Sequence, residues 1–415
     1  WRHITLAPTM NTVSPTLQAT LTQLDRELVR IRRDIHAHPE LSWHEVRTTD
    51  LLGNRLADAG LRVRRLPGTG LVADLGPADA AYRVALRADL DALPVVERTG
   101  LPWASRSDGV AHACGHDVHT TAALGAGLAL AEYAAQLTDA GAAVRLLFQP
   151  AEETVPGGAL KVIDEDGLAG VDEIYGVHCE PTLDVGQVGL RVGPLTAATD
   201  GIEVNLHGTG GHTSRPHLTQ DLTFALAKVV TEVPAILSRR VDPRAGLSVV
   251  WGSVHAGGAL NVIPSGGLVG GTLRVLDADV WEEAGALVRE VVLQVVEPYA
   301  VRVDIDYTQG VPPVVNTTEG VEVLRSAVRA AGAVEMPVRQ SLGGEDFAWY
   351  LTRVPGALAR LGTRKPGGRT FDLHQGDFVV DERAVVGGAR VLAGAVVAAV
   401  TRAAASGAGV DVSLR

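Results

Sequence analysis

Cysteine is scarce in this sequence, with only Cys114 and Cys179 among 415 residues. Two thiols do not make the disulfide framework on which small secreted domains depend. Basic residues are also the minority, because 37 Lys and Arg face 48 Asp and Glu and leave a formal net charge of −11. Nucleic-acid binding needs a basic surface, so this balance argues against a nucleic-acid partner. The scarcity of thiols indicates a reducing compartment or a thiol with a chemical role.

Long apolar runs are missing as well. The segment from Trp1 to Thr20 is polar and has no apolar core of a signal peptide. The most apolar late stretch, 384–400, is interrupted by Arg390 and several glycines, and we expect it to be too short to span a bilayer. Trp1 is not a natural first residue, which makes Met10 a candidate start. The sequence therefore predicts a cytoplasmic protein with no membrane partner.

The composition is that of a globular protein, with 46% hydrophobic and 20% charged residues. Apolar residues recur at helical spacing from Leu17 to Ile35, and this helix is predicted to end near Pro39. Further on, short apolar runs alternate with helical segments, which predicts an α/β fold class with helices on both faces of a mostly parallel sheet. The predicted strands are 61–66, 71–75, 83–88, 143–148 and 174–178, and the predicted helices are 46–59, 118–136 and 158–168.

The pattern changes near residue 197. From there to about residue 310 the predicted elements follow the order β-α-β-β-α-β, which is the ferredoxin-like arrangement. Helix and strand alternation resumes after residue 311. We therefore predict that a small α+β domain, 197–310, is inserted into a larger domain formed by 15–196 and 311–405.

The densest group of reactive side chains lies between His112 and His119. Cys114 and His116 offer a thiolate and an imidazole, which Zn²⁺ and related metals accept together. Asp117 is a candidate for orienting a ligating imidazole. A helix is predicted to begin here, and its N-terminus would favour the thiolate form of Cys114. The alternative is a polar loop with one buried cysteine.

Glu152 and Glu153 follow an apolar strand directly. Two adjacent carboxylates are costly at a buried strand end, and a cation would offset that cost. One carboxylate can then bind metal while its neighbour deprotonates the attacking water. The alternative is a solvated start of a helix.

Two further histidines, His178 and His374, complete a possible ligand set. With Cys114, His116 and Glu153 they make five protein ligands, which exceeds what one tetrahedral zinc site needs. Five ligands suit two metals that share a bridge, about 3.5–4 Å apart in such sites.

The predicted inserted domain has two glycine-dense loops of its own. One contains His212 and the other contains Asn261. Because glycine lets the backbone approach a ligand closely, both side chains are candidate donors to an oxyanion or a substrate carboxylate. The alternative is ordinary turn chemistry.

Taken in order along the chain, these motifs resemble the M20 metallopeptidase family, and specifically its amidohydrolase branch. That branch includes hippurate hydrolases, N-acyl-amino-acid amidohydrolases and indoleacetyl-amino-acid hydrolases. The segments that carry the resemblance are Arg33–Ser42, Leu86–Pro94, His112–His119, Phe148–Glu153, Gly176–Cys179, Gly210–His212, Asn261–Pro264, Gly343–Phe347 and Leu373–His374.

The resemblance implies a zinc-exopeptidase-like catalytic domain, an inserted lid and dimerisation domain, and a homodimer or homotetramer formed through it. It implies two divalent metal ions per subunit, with Zn²⁺ first and Mn²⁺, Co²⁺ or Ni²⁺ as alternatives. The implied metal ligands are Cys114, His116, Glu153, His178 and His374.

The resemblance also implies roles for residues around the metals. Glu152 matches the general base, and Asp89 matches the acidic residue behind the metal site. His212 matches the lid histidine that polarises the scissile carbonyl, and Asn261 and Arg274 are expected to bind substrate. Two differences stand out: Arg87 replaces a ligand histidine of the peptidase branch, which favours the amidohydrolase branch, and Thr213-Ser214-Arg215 replaces a run of small residues.

The resulting hypothesis is a metal-dependent amidohydrolase that cleaves N-acyl amino acids to a carboxylic acid and a free amino acid. The nearest alternative is a dipeptidase or aminopeptidase on the same scaffold, which needs a carboxylate to hold a free α-amine. A binding protein without activity, and a nucleophilic cysteine hydrolase built on Cys114, are alternatives of other classes.

Overall fold

The computed structural model describes residues 15–406. Met10, the candidate start, lies outside these residues. The chain divides into two compact units, and within the described residues the first comprises 15–193, 316–338 and 349–406, while the second comprises 194–315 and 339–348. Residues 339–348 therefore belong to the second unit, whereas the sequence-based division placed them in the larger domain.

The described residues form ten α-helices and three short 3₁₀ helices. The α-helices are α1 (Pro15–Ala37), α2 (Val46–Asp58), α3 (His116–Ala131), α4 (Ala134–Asp139), α5 (Ala159–Asp164), α6 (Leu222–Arg240), α7 (Ala278–Val296), α8 (Thr318–Ala330), α9 (Ala348–Leu351) and α10 (Arg383–Ala405). The 3₁₀ helices are Pro216–Leu218, Pro243–Ala245 and Glu297–Tyr299.

Sixteen strands lie between these helices within residues 15–406. They are β1 (Arg62–Arg65), β2 (Leu71–Leu75), β3 (Tyr82–Asp89), β4 (Ala142–Gln149), β5 (Glu173–Asp184), β6 (Gln187–Leu190), β7 (Gly193–Pro194), β8 (Ala198–His207), β9 (Gly211–His212), β10 (Ser248–Ala256), β11 (Val262–Ile263), β12 (Gly266–Val275), β13 (Arg302–Val311), β14 (Val315–Asn316), β15 (Val334–Pro337) and β16 (Gly356–Arg364).

The first unit is built on an eight-stranded sheet with the order β1-β2-β4-β3-β5-β16-β6-β15. The four central strands, β4, β3, β5 and β16, are parallel to one another. Antiparallel pairs join β1 to β2, β2 to β4, and β16 to β6. The predicted α/β fold class is confirmed, and the sheet is mixed rather than parallel throughout.

The helices α1, α3 and α10 pack together on one face of this sheet. Helix α3 is buried from His116 to Leu130, because it is surrounded by other parts of the unit instead of lying at the surface. Its glycines permit close packing: a Cβ on Gly125 would lie 2.6 Å from Cδ1 of Leu28 on α1. This packing fixes the start of α3, where the His112–His119 motif lies.

Helix α10 is longer than the sequence suggested. By length and composition alone it could span a membrane, but 72% of its most apolar window is buried inside the protein. The expectation that this stretch is too short was wrong, because its glycines do not end the helix. Gly388 instead allows close contact, since a Cβ there would lie 2.9 Å from Leu361 and 3.0 Å from Ala122. The apolar character of α10 matches its place in the core.

The second unit contains a four-stranded antiparallel sheet with the order β10-β12-β8-β13. The helices α6 and α7 connect its strands, so the chain follows a β-α-β-β-α-β path and the strand order is the ferredoxin-like one. Strands β10 and β13 form the two edges of this sheet.

Asp200 is the buried polar anchor of the second unit. The residue is 1% exposed, and Oδ1 accepts hydrogen bonds from Nε1 of Trp281 at 3.0 Å and from the N–H of Gly310 at 2.8 Å. The hydroxyl of Tyr307 donates to Oδ2. One carboxylate therefore ties strand β8 to helix α7 and to strand β13.

We predict that Asp200→Ala lowers the free energy of unfolding by about 2–4 kcal/mol, because it leaves buried donors without an acceptor. Asp304→Ala is the matched control, since this aspartate lies on β13 with a side chain that is 53% exposed. It should change stability by less than about 1 kcal/mol. Denaturant unfolding followed by tryptophan fluorescence measures both, and equal losses in the two variants would contradict the assigned role of Asp200.

Candidate metal centre

The reactive side chains of the first unit gather at the carboxyl ends of its central strands. Asp89 is the last residue of β3, Glu152 and Glu153 follow the end of β4, and His178 lies in β5. His116 begins α3. Because neighbouring parallel strands end at the same edge of a sheet, the topology itself brings these residues together.

Two groups of three possible ligands share the sulfur of Cys114. In the first group Cys114 is joined by His116 and His178, and in the second it is joined by Glu153 and His374. Within each group the ligand atoms lie within 4.8 Å of one another. Sγ of Cys114 lies 3.5 Å from Nε2 of His178, and Nε2 of His374 lies 3.2 Å from Oε1 of Glu153. All five side chains predicted as ligands thus lie together, while their ligand role stays a prediction.

The chemistry of this group fits a pair of divalent cations. Both ring nitrogens of His116 and Oε1 of Glu153 are buried without a hydrogen-bond partner. Nδ1 of His116 does lie 3.3 Å from Oδ1 of Asp91, but the two are not aligned for a hydrogen bond. Buried polar atoms without partners cost free energy, and a cation would offset that cost. Sulfur, imidazole and carboxylate together suit Zn²⁺ and its neighbours.

Asp89 lies behind this group and is fully buried. Oδ1 lies 2.7 Å from Nδ1 of His119, and Oδ2 lies 2.5 Å from a guanidinium nitrogen of Arg87. Burial opposes the charge of Asp89, but the neighbouring side chains of His116, His119 and Arg87 outweigh it and hold the pKa of Asp89 well below its usual range. Nε2 of His119 accepts the N–H of Cys179 at 2.7 Å, so its proton lies on the nitrogen that faces Asp89. Asp89 therefore neutralises Arg87, the residue found where the peptidase branch has a ligand histidine.

Two buried carboxylates fix the backbone of the segment that contains Glu152 and Glu153. The N–H of Ala151 donates to Oε1 of Glu45 at 2.8 Å. The N–H groups of Glu152 and Glu153 donate to Oδ1 and Oδ2 of Asp91, both at 3.0 Å. Three consecutive N–H groups are thus held by two carboxylates, while Ala151 has a positive φ of 54°. This clamp places the two glutamates, and sequence reasoning missed it.

Each carboxylate of the clamp has further partners. Oε2 of Glu45 accepts the hydroxyl of Thr69 at 2.6 Å, and Oδ2 of Asp91 accepts the hydroxyl of Ser42 at 2.6 Å. Burial raises the pKa of Glu45. Ser42 and Glu45 lie in or just after one of the segments that carried the family resemblance, so their position was a signal that could have been used.

The structure corrects two expectations about the His112–His119 motif. Asp117 does not orient a ligating imidazole, because its carboxylate lies 2.7 Å from Nε of Arg32 and 2.8 Å from Nδ1 of His36. Helix α3 does begin at His116, but burial raises the pKa of the Cys114 thiol. The helix N-terminus alone therefore does not produce a thiolate, since desolvation outweighs the dipole. A bound cation would reverse that balance.

His374 reaches the group from an exposed loop. Its φ of 62° is unusual for a residue with a side chain, and its N–H donates to the carbonyl of Ala113 at 2.8 Å. This hydrogen bond ties the His374 loop to the residue before Cys114. Strained backbone of this kind is concentrated at functional sites. The carboxylate of Glu153, close to its ring, raises the pKa of His374 above its ordinary value.

The second unit contains the other predicted site residues, His212, Asn261 and Arg274. Strands β9 and β11 pair Val262 with His212, so His212 and Asn261 lie close together. They lie beside a cavity of about 590 Å³ lined by residues 209–211, 257–259 and 262–266 of the glycine-dense loops. Arg274 lies elsewhere on the sheet, where its guanidinium binds the hydroxyl of Thr199 at 3.2 Å.

Ser214 fixes the protonation of the His212 ring. Its N–H donates to Nδ1 of His212 at 3.1 Å, and its hydroxyl lies 2.8 Å from the same nitrogen. Because Nδ1 accepts a backbone N–H, the ring proton lies on Nε2. Nε2 of His212 is therefore available as a donor. The Thr213-Ser214-Arg215 segment, which departs from the family pattern, supplies this orienting contact.

A mixed sheet with sulfur, imidazole and carboxylate groups at the carboxyl ends of its parallel strands fits a metal-dependent hydrolase. Comparison with known families agrees. The family described as peptidase family M20/M25/M40 matches residues 85–398, so this chain belongs to that family. The resemblance that the sequence motifs indicated is thereby confirmed.

Several known proteins are similar to this chain over most of its length. N-acetyl-L-cysteine deacetylase of Bacillus subtilis (strain 168) is 37% identical over 367 residues, which are 88% of this chain and 86% of the deacetylase. The structure of the Bacillus subtilis YXEP protein, described as a dinuclear metal binding peptidase from the M20 family, has a TM-score of 0.80 at 31% identity and covers 92% of this chain and 99% of that one.

A Rhodococcus jostii (strain RHA1) protein, provisionally named glutamate–cysteine ligase 2-3, is 47% identical over 375 residues and 89% of this chain. The match covers 46% of that longer protein, so this chain spans less than half of its length. The name of the whole Rhodococcus protein is therefore not a guide to the activity of the matching part.

The two cysteines allow a direct test of the shared ligand. Cys114→Ala removes the sulfur common to both ligand groups, and we predict that it lowers bound metal from two ions per chain to one or fewer. Cys179→Ala is the matched control, because Cys179 is also buried and free but belongs to neither group. Elemental analysis after dialysis against excess metal measures both. Two ions retained in Cys114→Ala would rule out its ligand role.

Proposed function

We propose that this protein is a metal-dependent amidohydrolase that cleaves the amide bond of N-acyl amino acids and releases a carboxylic acid and a free amino acid. The observation that carries the proposal is the pair of ligand groups that share Cys114, with Glu152 beside them. Oε2 of Glu152 lies 3.8 Å from Nε2 of His116. The deacetylase name of the Bacillus subtilis relative supports an acylated amino acid as substrate.

The proposed centre holds two cations. Cys114, His116 and His178 would bind one ion. Cys114, Glu153 and His374 would bind the other. When bound, the two ions supply Lewis acidity and lower the pKa of a coordinated water. Zn²⁺ is our first choice because thiolate and imidazole are its preferred ligands, and Mn²⁺, Co²⁺ and Ni²⁺ are alternatives with the same donor set.

Glu152 is the proposed general base. Its carboxylate takes a proton from the attacking water and then delivers that proton to the amide nitrogen as the C–N bond breaks. The clamp formed by Glu45 and Asp91 holds the backbone on which this carboxylate is mounted, so its position does not depend on a mobile loop. Asp89 contributes by balancing the charge of Arg87 behind the ligands.

His212 is the proposed donor to the carbonyl oxygen of the scissile amide, with the proton that Ser214 keeps on Nε2. Asn261, next to it, is proposed to hold the substrate. Arg274 is proposed as a further substrate-binding residue. These three assignments follow the family resemblance.

We also propose a homodimer or homotetramer assembled through the second unit, which then acts as lid and dimerisation domain. The unpaired edge strand β10 supports this, since Val250 is 61% exposed and Val254 is 51% exposed along it. Long apolar edge strands in soluble proteins are usually covered. A cytoplasmic location is proposed as well, and two free cysteines support it.

The catalytic assignment is tested by Glu152→Gln. We predict that this variant keeps two metal ions per chain but loses about 10²–10⁴-fold in kcat on an N-acyl amino acid, because the amide side chain cannot accept the proton. Glu153→Gln is the matched control and should instead lose metal. Near-normal turnover in metal-loaded Glu152→Gln would remove Glu152 from the role of base.

A substrate panel separates the proposal from the alternative. N-acetyl amino acids should be hydrolysed faster than the matching free-amine dipeptides. A preference for the dipeptides would favour a peptidase on the same scaffold.

The proposed assembly is tested by placing charge on the β10 edge. Val250→Lys combined with Val254→Lys should convert the oligomer to monomers, because two lysines per strand disfavour edge pairing. Sedimentation velocity at matched concentrations reports the mass, with Val334→Lys as the control because Val334 is 58% exposed in the first unit. A monomeric unmodified protein would contradict the proposed assembly.

A further inference from the structure

Four arginines are buried in the part of the chain that the structure describes, and three of them are bound to acceptors. Arg32 binds the carboxylate of Asp117, and Arg87 binds the carboxylate of Asp89. Arg83 binds backbone carbonyls, including that of Ala78. The fourth is Arg360 on β16, which is 7% exposed. Its guanidinium makes no hydrogen bond and no ion pair within residues 15–406. A buried cation without a counter-charge costs free energy unless an anion joins it.

Arg360 is placed beside the candidate metal centre by the register of the sheet. Strand β16 runs parallel to β5, and Arg360 is the register partner of His178. Register partners on neighbouring strands project from the same face and are separated by about 4.8 Å. Arg360 therefore projects from the face that presents the imidazole of His178 to Cys114.

The other flank of Arg360 offers no counter-charge. There its register partner on β6 is Gly189, which has no side chain. A Cβ at Gly189 would lie 3.1 Å from Cβ of Arg360 and 2.0 Å from Cγ1 of Val338, so this flank is packed with apolar atoms. The guanidinium nitrogens of Arg360 have no hydrogen-bond partner, yet none of them is fully buried. The guanidinium therefore borders a space that solvent or a ligand can reach.

Two acidic groups of the centre face residues other than Arg360. Asp89 is bound by Arg87 and His119, and Glu153 faces His374. The described residues thus supply no anion that balances Arg360, and the accessible space beside its guanidinium leaves room for one that a ligand brings.

We propose, on the basis of the amidohydrolase function proposed above, that Arg360 binds a carboxylate of the substrate next to the metal centre. Every N-acyl amino acid has an α-carboxylate, and some acyl groups bring a second carboxylate. The planar guanidinium fork matches a carboxylate in two parallel hydrogen bonds. Arg360 is thus a substrate-binding residue that favours anionic substrates.

The test compares Arg360→Met with Arg364→Met. Both arginines lie on β16, but Arg364 is paired with Asp184 at 2.6 Å and serves as the control. Methionine keeps much of the apolar stem and removes the charge. Arg360→Lys is added as a conservative variant that keeps the charge without the fork.

The first measurement is binding to the metal-free proteins by titration calorimetry. The probes are N-acetylmethionine and N-acetylmethioninamide, which differ only in the α-carboxylate, and N-succinylmethionine, which adds a carboxylate to the acyl group. Two comparisons are made: N-acetylmethionine against N-acetylmethioninamide, and N-succinylmethionine against N-acetylmethionine. In at least one of them, the unmodified protein and Arg364→Met should bind the more negatively charged probe about 10- to 100-fold more tightly. Arg360→Met should lose that preference, and Arg360→Lys should keep part of it.

The pattern of loss identifies the carboxylate. If Arg360→Met loses only the preference for N-acetylmethionine over its amide, Arg360 binds the α-carboxylate. If it loses only the preference for the succinyl over the acetyl compound, Arg360 binds the acyl group. The proposal is overturned if Arg360→Met keeps the full preference for the carboxylate-bearing probe. It is also overturned if the unmodified protein shows no such preference.

A structural role is separated by thermal unfolding of the same metal-free proteins. Removing a buried charge that has no partner should leave Tm unchanged or higher, and succinate should raise the Tm of the unmodified protein more than that of Arg360→Met. A lower Tm together with an unchanged carboxylate preference would make Arg360 a packing residue.

The steady-state test uses the metal-loaded proteins. Arg360→Met should raise KM for the preferred anionic substrate with a smaller change in kcat. Failure of the unmodified protein to hydrolyse any N-acyl amino acid would defeat the proposed function, while the binding measurements on Arg360 remain decisive on their own.

Discussion

The balance of buried charge at the carboxyl ends of four parallel strands governs this structure. Asp89 is fully buried, and it is compatible with the core because Arg87 and His119 bind its two oxygens. In contrast, both nitrogens of His116 and one oxygen of Glu153 are buried without partners. Asp89 and its partners therefore serve a structural role, whereas His116 and Glu153 have buried atoms that are free to bind cations. The chemistry proposed for the site follows from this division.

The scaffold extends well beyond the residues that would touch metal. Asp91 and Glu45 hold three successive backbone N–H groups, which fixes two glutamates of different roles on one short segment. The clamp explains how Glu153 can point toward Cys114 while Glu152 stays beside it. In the same way, the N–H of His374 is tied to Ala113, so a ligand on an exposed loop is coupled to the residue that precedes the shared sulfur.

Much of the fold could be predicted from the sequence because its signals are local. Period and length placed α1 and the strands around Asp89 and His178, and the β-α-β-β-α-β order of the second unit was readable from the alternation of patterns. The failures were non-local. The long helix α10 was missed because its glycines do not break it, and one of them, Gly388, packs against Leu361 and Ala122. Spacing along the chain cannot show which glycines serve close packing.

The residues of the candidate site could be predicted from the sequence, but their hydrogen-bond and ion-pair partners could not. Metal-binding chemistry could be recognised at Cys114 because sulfur, imidazole and carboxylate side chains are rare in dense groups. The partners of Asp117 could not be recognised from the sequence, because Arg32 and His36 lie on another helix. Arg360 was missed because a single arginine in an apolar strand has no sequence pattern, and only its lack of a partner makes it conspicuous.

The most direct measurement of the central claim is anomalous diffraction from crystals of the metal-reconstituted protein. The account predicts two metal peaks in each chain, both in contact with the sulfur of Cys114 at about 2.3 Å for zinc, with His116 and His178 on one ion and Glu153 and His374 on the other. A single ion, or two ions of which neither touches Cys114, would contradict it.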